Sequence, residues 1–266
     1  MKKKAVLRLS MYTPSGEGHG GIKRTSQINE FLIDNDFTVF DLKELSCPSG
    51  YIEKVKYSLL GIKILISRDR FKISKSKFKE AKRIGYTQFT LQKQLKDINL
   101  NYDVSSFLWE YTWPNYWYIP ILIKANGLKI IALPHNLESL VYSQKSFKNP
   151  SQLSPSWLNE EIEYLGWCDE IFVISREEQW LLSLLLKNID VKFLPYLATK
   201  EVVENLLAIR DLRDEEKLSN NIMILGSAVN PPTLKGLIQL KEYIKNANLE
   251  HYYFDFIGFG MSRLTK

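Results

Sequence analysis

Short apolar runs alternate along most of this chain with longer stretches whose apolar residues recur every three or four positions. The runs are 5–10, 37–42, 104–109 (VSSFLW), 129–134 (KIIALP), 170–175 (EIFVIS) and 191–194 (VKFL), and they read as buried strands. Helical spacing fills 21–34, 75–96, 115–126, 156–166 and 176–187; in the first of these, Ile22, Ile28, Phe31 and Leu32 share one side. This alternation predicts a doubly wound parallel sheet with helices on both faces, a Rossmann-like α/β domain ending near Tyr196. Residues 44–73 follow neither pattern and read as an insertion, partly loop, between the second and third strands.

The pattern then changes. Residues 197–220 are charged and read as a helix and linker. From Ile222 a strand (IMILGS), a turn at Pro231–Pro232, a helix and a strand ending at Gly260 make one β-α-β unit. The expected division is therefore a domain over 1–196, a linker over 197–220 and an incomplete second α/β domain over 221–266. So small a unit has little core of its own, and two strands can cover only part of the stripe Leu234, Leu237, Ile238, Leu240, Ile244, so an apolar helix face or sheet face is expected to be left uncovered.

Composition narrows the class. At 45% hydrophobic and 25% charged residues, the chain resembles ordinary soluble globular proteins. Its most apolar run, YSLLGIKILIS, contains Lys63 and is too short to span a bilayer. MKKKAVLRLS lacks the apolar stretch and cleavage site of a secretory signal, and Cys47 and Cys168 read as reduced thiols, so a cytoplasmic location is expected. The three histidines and two cysteines show no metal-ligand spacing, and no metal or other cofactor is expected.

The net charge of +6 is uneven: residues 53–97 hold thirteen Lys or Arg against four Asp or Glu. Phe71, Ile73, Phe78, Ile84, Tyr86 and Phe89 are interleaved with them. Such a segment can lie on an anionic membrane surface, hold nucleic acid, or simply be a solvated helix face. No nucleic-acid reading motif accompanies it, and nucleic acid is not expected as a partner.

Candidate chemistry begins at Gly16, Gly18, Gly20 and Gly21, between the first strand and first helix. A glycine loop opening a helix presents bare amides to a phosphate, because no β-carbon holds the backbone away. Gly16, Gly18 and Gly21 spell GxGxxG, and Asp41 stands where an NAD-binding fold places its ribose-binding acid. Against NAD, Met11 to Ser15, with Pro14, lengthen the loop before the first glycine. A surface turn without ligand and a sugar-nucleotide phosphate are the other readings.

Five segments in order resemble the GT-B glycosyltransferases of the large retaining group that use sugar nucleotides. They are the loop with Gly20–Gly21, LPHNLESL (133–140), CDEIFVISREE (168–178), VKFLPY (191–196) and IMILGSAVNPPTLKGL (222–237). The resemblance implies transfer of a sugar from a nucleotide-sugar donor to a polysaccharide or lipid-linked acceptor, with peripheral contact at the inner face of the membrane. It implies His135 beside the reacting sugar carbon and Glu110 orienting the acceptor hydroxyl. Gly20, Gly21, Asn136, Glu138, Ser175, Gly226, Ser227 and Lys235 would contact substrate. The family's acidic pair in the second domain would lie beyond Lys266, and its usual arginine after the second domain's first strand is not evident. The chain is therefore expected to be inactive or incomplete by itself. A non-catalytic GT-B-like scaffold is the alternative, and an NAD-dependent oxidoreductase a further one.

Overall fold

The computed structural model describes residues 2–15, 20–42, 50–66, 75–113, 116–140, 155–197, 200–214, 220–229, 231–247, 249 and 251–264. Gly16, Gly18, Cys47, Phe71 and Ile73 lie outside them. The chain divides into two compact units, one of residues 1–138 and 156–197, the other of 139–155 and 198–266.

The first unit is built on six parallel strands: β1 (Lys3–Leu9), β2 (Thr38–Asp41), β3 (Tyr102–Trp109), β4 (Lys129–Ala132), β5 (Glu170–Val173) and β6 (Asp190–Phe193). They lie in the order β2-β1-β3-β4-β5-β6, so the sheet reverses its winding between β1 and β3. Parallel strands need both faces covered, which is why Val, Ile, Leu and Phe run nearly unbroken through them. Helix α1 (Gly20–Asp34) puts Ile28 and Leu32 on one face, against Val6, Leu108 and Leu133. The alternate residues Leu7, Phe107, Ile130 and Ile171 are fully buried on the other.

The insertion between β2 and β3 is more regular than its sequence suggests. Tyr51–Ile66 forms a helix, α2, that packs antiparallel on α3 (Lys75–Ile98). Two glycines allow the backbones to touch. A β-carbon on Gly61 would lie 1.8 Å from the Ala81 carbonyl oxygen, and one on Gly85 1.9 Å from that of Tyr57. Helix α3 then buries Ala81, Ile84, Leu91, Leu95 and Ile98 at helical spacing.

Three shorter helices are among the described residues of this unit: α4 (Ile119–Ala125), α5 (Pro155–Leu165) and α6 (Arg176–Leu185). Helix α4 begins later than the pattern over 115–126 suggests, and Gly127 (φ +74°) ends it in the left-handed conformation that favours glycine.

The second unit holds α7 (Lys200–Asp214), β7 (Asn221–Leu225), α8 (Pro231–Asn246), β8 (Tyr253–Ile257) and a final 3-10 turn, Met261–Leu264. Strands β7 and β8 pair in parallel. Ala228, Leu237 and Leu264 form its core, with Ile224, Leu234, Phe256 and Met261 around them. The opposite sheet face is open: Met223 is 60% exposed, Leu225 71% and Tyr253 70%. The uncovered apolar face expected of this β-α-β unit is present among the described residues.

Candidate functional site

A sheet that reverses its winding opens a crevice at the carboxyl ends of the two diverging strands. Here those ends are Ser10, after β1, and Glu110, after β3. The Glu110 carboxylate is 1% exposed. Thr25 Oγ1, from the second turn of α1, donates to its Oε2 at 2.7 Å, and Ser10 Oγ donates to the same oxygen at 3.3 Å. The Arg8 guanidinium lies 3.9 Å from Oε1. Burial pushes the Glu110 carboxyl above its ordinary pKa, opposed by the Thr25 bond, the Arg8 charge, the Ser10 bond and the Arg24 charge. Glu110 is thus sealed beneath α1, and its contacts fix the helix at the crevice.

Two arginines tie the remaining strands to this point. Arg8 Nε donates to Asp41 Oδ1 at 2.7 Å, and its Nη2 to Oδ2 at 3.2 Å. The acid that an NAD fold would offer to ribose is therefore engaged by a buried guanidinium of the neighbouring strand. Arg24, on α1, is 3% exposed and donates to the carbonyls of Leu194 (3.1 Å) and Phe172 (3.3 Å). Burial lowers its pKa to about 10 against the pull of Glu110 and Glu178. Ser26 Oγ accepts from the Ser15 amide and donates to the Ser15 carbonyl, both at 2.7 Å, pinning the chain just before the glycine loop.

The loop after β4 carries His135 and Asn136, both half-buried. Carboxylates from two helices hold its backbone: the Leu137 amide donates to Glu178 Oε1 at 3.0 Å and the Glu138 amide to Glu161 Oε1 at 2.8 Å. Glu178 reaches there because Ser175 caps α6, its hydroxyl accepting from the Glu178 amide at 3.1 Å. Burial raises the Glu178 carboxyl, opposed first by the Leu137 amide. Ser175 therefore has a structural duty as the cap of α6.

His135 meets Tyr12, from the segment after β1, edge to face with ring centroids 5.5 Å apart. The rings of Tyr111 and Tyr116, after β3, meet at a tilt of 46° with centroids 5.0 Å apart, and Trp113 lies 6.3 Å from Tyr111. Burial raises the Tyr12 phenol, and Glu138 adds to it; burial, then Tyr116, Glu138 and Tyr12, do the same for Tyr111. An imidazole, a carboxylate and several half-buried phenol and indole rings thus converge at the carboxyl edge of the sheet. Such a set can stack on a sugar ring or base and hydrogen-bond its hydroxyls. The aromatic members escaped the motif reading, although six aromatics crowd into residues 109–118 (WEYTWPNYWY).

Gly20 and Gly21 are the first residues of α1. Among the described residues, a β-carbon on Gly20 would meet nothing within 4 Å. Gly226, Ser227 and Lys235 belong to the second unit. Gly226 packs tightly there: its β-carbon would lie 3.2 Å from Thr233 Cγ2, and its amide donates to the Ile257 carbonyl at 3.1 Å. Ser227 is half-buried, and Lys235 is exposed on α8. Among the described residues, no group of three or more His, Cys, Asp or Glu side chains is placed to hold a metal ion. No helix there is long and apolar enough to cross a membrane.

No family model and no curated protein matches the chain. Similar solved structures are plant UDP-glycosyltransferases. Apo UGT2 of Phytolacca americana is 9% identical with a TM-score of 0.43, over 84% of this chain and 57% of its own. UGT89C1 of Arabidopsis thaliana, solved with UDP-L-rhamnose, is 14% identical with a TM-score of 0.45, over 100% of this chain and 68% of its own. A UDP-glucosyltransferase of Polygonum tinctorium is 10% identical with a TM-score of 0.45, over 96% and 71%. The chain spans little more than half the length of the Phytolacca structure.

Proposed function

We propose that the chain binds a nucleotide sugar and serves retaining transfer of that sugar to a polysaccharide or lipid-linked acceptor. The observation that carries this reading is the meeting of His135 and Tyr12, beside Tyr111, Tyr116 and Glu138, at the sheet's carboxyl edge. In this proposal His135 hydrogen-bonds the sugar near its reacting carbon, and Glu138 and Asn136 orient hydroxyls. The α1 terminus at Gly20–Gly21 receives a phosphate. Glu110 acts through Ser10, Thr25 and Arg8 as a positioning residue. Gly226, Ser227 and Lys235 are proposed substrate contacts of the second unit, taken by itself. The reaction in this form draws on hydrogen bonding and helix-end electrostatics, and needs neither metal nor redox cofactor.

Saturation-transfer NMR with UDP-, GDP- and ADP-sugars, and with NAD, tests it. Sugar-nucleotide resonances should gain saturation in the wild type and lose it in His135→Ala and Tyr12→Ala. Saturation of NAD alone, or of no compound, overturns the proposal.

A second reading is a non-catalytic scaffold of the same fold. The two-stranded sheet of the second unit, with one face open, favours it. Donor binding without turnover against any glycan or lipid-linked acceptor would select that reading.

A further inference from the structure

Helix α2 is apolar on two opposite sides, and only one is used. Tyr57 and Gly61 turn toward α3. At about 100° per residue, Ile52, Val55, Leu59 and Ile66 fall within an arc of about 60° on the opposite side. They are 82%, 45%, 62% and 59% exposed. An aliphatic stripe of this length on a water-facing helix marks an interaction surface.

Its charge identifies the partner. Helix α2 holds three lysines against one glutamate, and α3 seven Lys or Arg against two acids, so the surplus of the whole chain gathers on this hairpin. Lys56 and Lys63 border the stripe, while Glu53 lies off it. Lys56 is drawn back over the Phe89 ring of α3, its Nζ 5.3 Å from the centroid, beside the stripe rather than across it. Aliphatic side chains flanked by lysines, on a helix not long and apolar enough to cross a bilayer, suit the plane between headgroups and acyl chains. A protein groove would match the stripe equally well, but not the surplus of cations.

We infer that α2 docks the protein on an anionic lipid surface, with Ile52, Val55, Leu59 and Ile66 entering the interface and Lys56 and Lys63 meeting headgroup phosphates. The inference stands on the α2–α3 hairpin and survives any outcome for the sugar-nucleotide proposal.

The test is co-sedimentation of the full chain with phosphatidylcholine vesicles, with and without about one-third phosphatidylglycerol. Binding should require the anionic lipid and weaken between about 50 and about 500 mM salt. The pair Leu59→Ser and Ile66→Ser should lower partitioning about tenfold or more. Lys56→Gln with Lys63→Gln should lower it several-fold. Met223→Ser with Leu225→Ser, on the other exposed apolar face, should leave it unchanged. Circular dichroism melts establish that each variant is folded, as expected for exposed positions. Four results overturn the inference: no sedimentation at low salt, equal binding to neutral vesicles, undiminished binding by the serine pair at α2, or loss of binding in the Met223 and Leu225 pair. Lipid-free self-association that the α2 serine pair abolishes also overturns it, making the stripe a contact between copies. Sugar-nucleotide saturation measured on the same samples reports separately on the functional proposal.

Discussion

Thr25 donates a 2.7 Å hydrogen bond to the buried Glu110 carboxylate, joining the start of α1 to the end of β3 across 85 residues of sequence. The bond sits where the sheet reverses, so it sets how the first turns of α1 stand over the crevice. Thr25→Val keeps the shape and removes the donor. A lost hydrogen bond to a buried charged group costs about 1.5–3 kcal/mol, and denaturant unfolding should show that loss. An unchanged midpoint would mean that Ser10 and Arg8 suffice to hold Glu110.

The raised pKa of Glu110 has a definite sign in pH. Between its ordinary value and its higher folded value, the native state binds more protons than the unfolded chain. Its contribution is full below the ordinary carboxylate pKa and is lost as pH rises through the folded value. Glu178 is shifted in the same direction, so the comparison must isolate Glu110. Melting of wild type and Glu110→Gln from about pH 4 to about pH 8 does so, the glutamine variant gaining relative to wild type as pH rises. A constant difference, or one of opposite slope, would refute the assignment.

The strands were legible because each is a run of apolar residues that a two-face-covered sheet demands. Placing His135 and Ser175 at strand ends followed from that alone. The burial of Glu110 was not legible, since it depends on Thr25 and Ser10, which the chain brings together only by folding. The engagement of Asp41 was not legible for the same reason: nothing local in the sequence shows that the Arg8 guanidinium spans two strands. Helix α2 was obscured because apolar residues on two sides erase the one-sided period by which a helix is recognised.

Glu178 gives a local test of how the His135 loop is held. Replacing it with Ala removes the acceptor of the Leu137 amide, leaving the loop with the Glu161 anchor. Amide exchange at Leu137 should accelerate strongly, while β1 and β3 amides, far along the sheet order from α6, keep their protection. Uniform acceleration would indicate global destabilisation instead.

The glycines of the hairpin should be intolerant in proportion to what surrounds them. Gly61→Ala and Gly85→Ala each drive a methyl into a carbonyl oxygen of the facing helix, so the helices must separate. A loss on the order of 3 kcal/mol is expected from such overpacking. On α8, by contrast, a methyl on Gly236 would meet nothing within 4 Å. Gly236→Ala should therefore stabilise by about 0.5–1 kcal/mol through helix propensity. Thermal melts of the three variants, read by circular dichroism, separate close approach from simple glycine flexibility.

The open face of the second unit makes the last prediction. In β7 and β8, Met223, Leu225, Tyr253 and Ile257 point away from α8, and all four are exposed. Parallel strands are ordinarily covered on both faces, and an apolar sheet surface with a free edge invites other chains. Met223→Lys with Leu225→Lys places charge on that face without touching the core of Ala228, Leu237 and Leu264. The pair should reduce binding of a hydrophobic dye and concentration-dependent light scattering, and change stability by no more than about 0.5 kcal/mol. Leu237→Lys is the opposite case. That side chain is 6% exposed and packs from the covered side, so a buried unpaired charge should unfold the unit. If the Met223 and Leu225 pair unfolds the protein as Leu237→Lys does, the face is covered in solution and does not stand open to water.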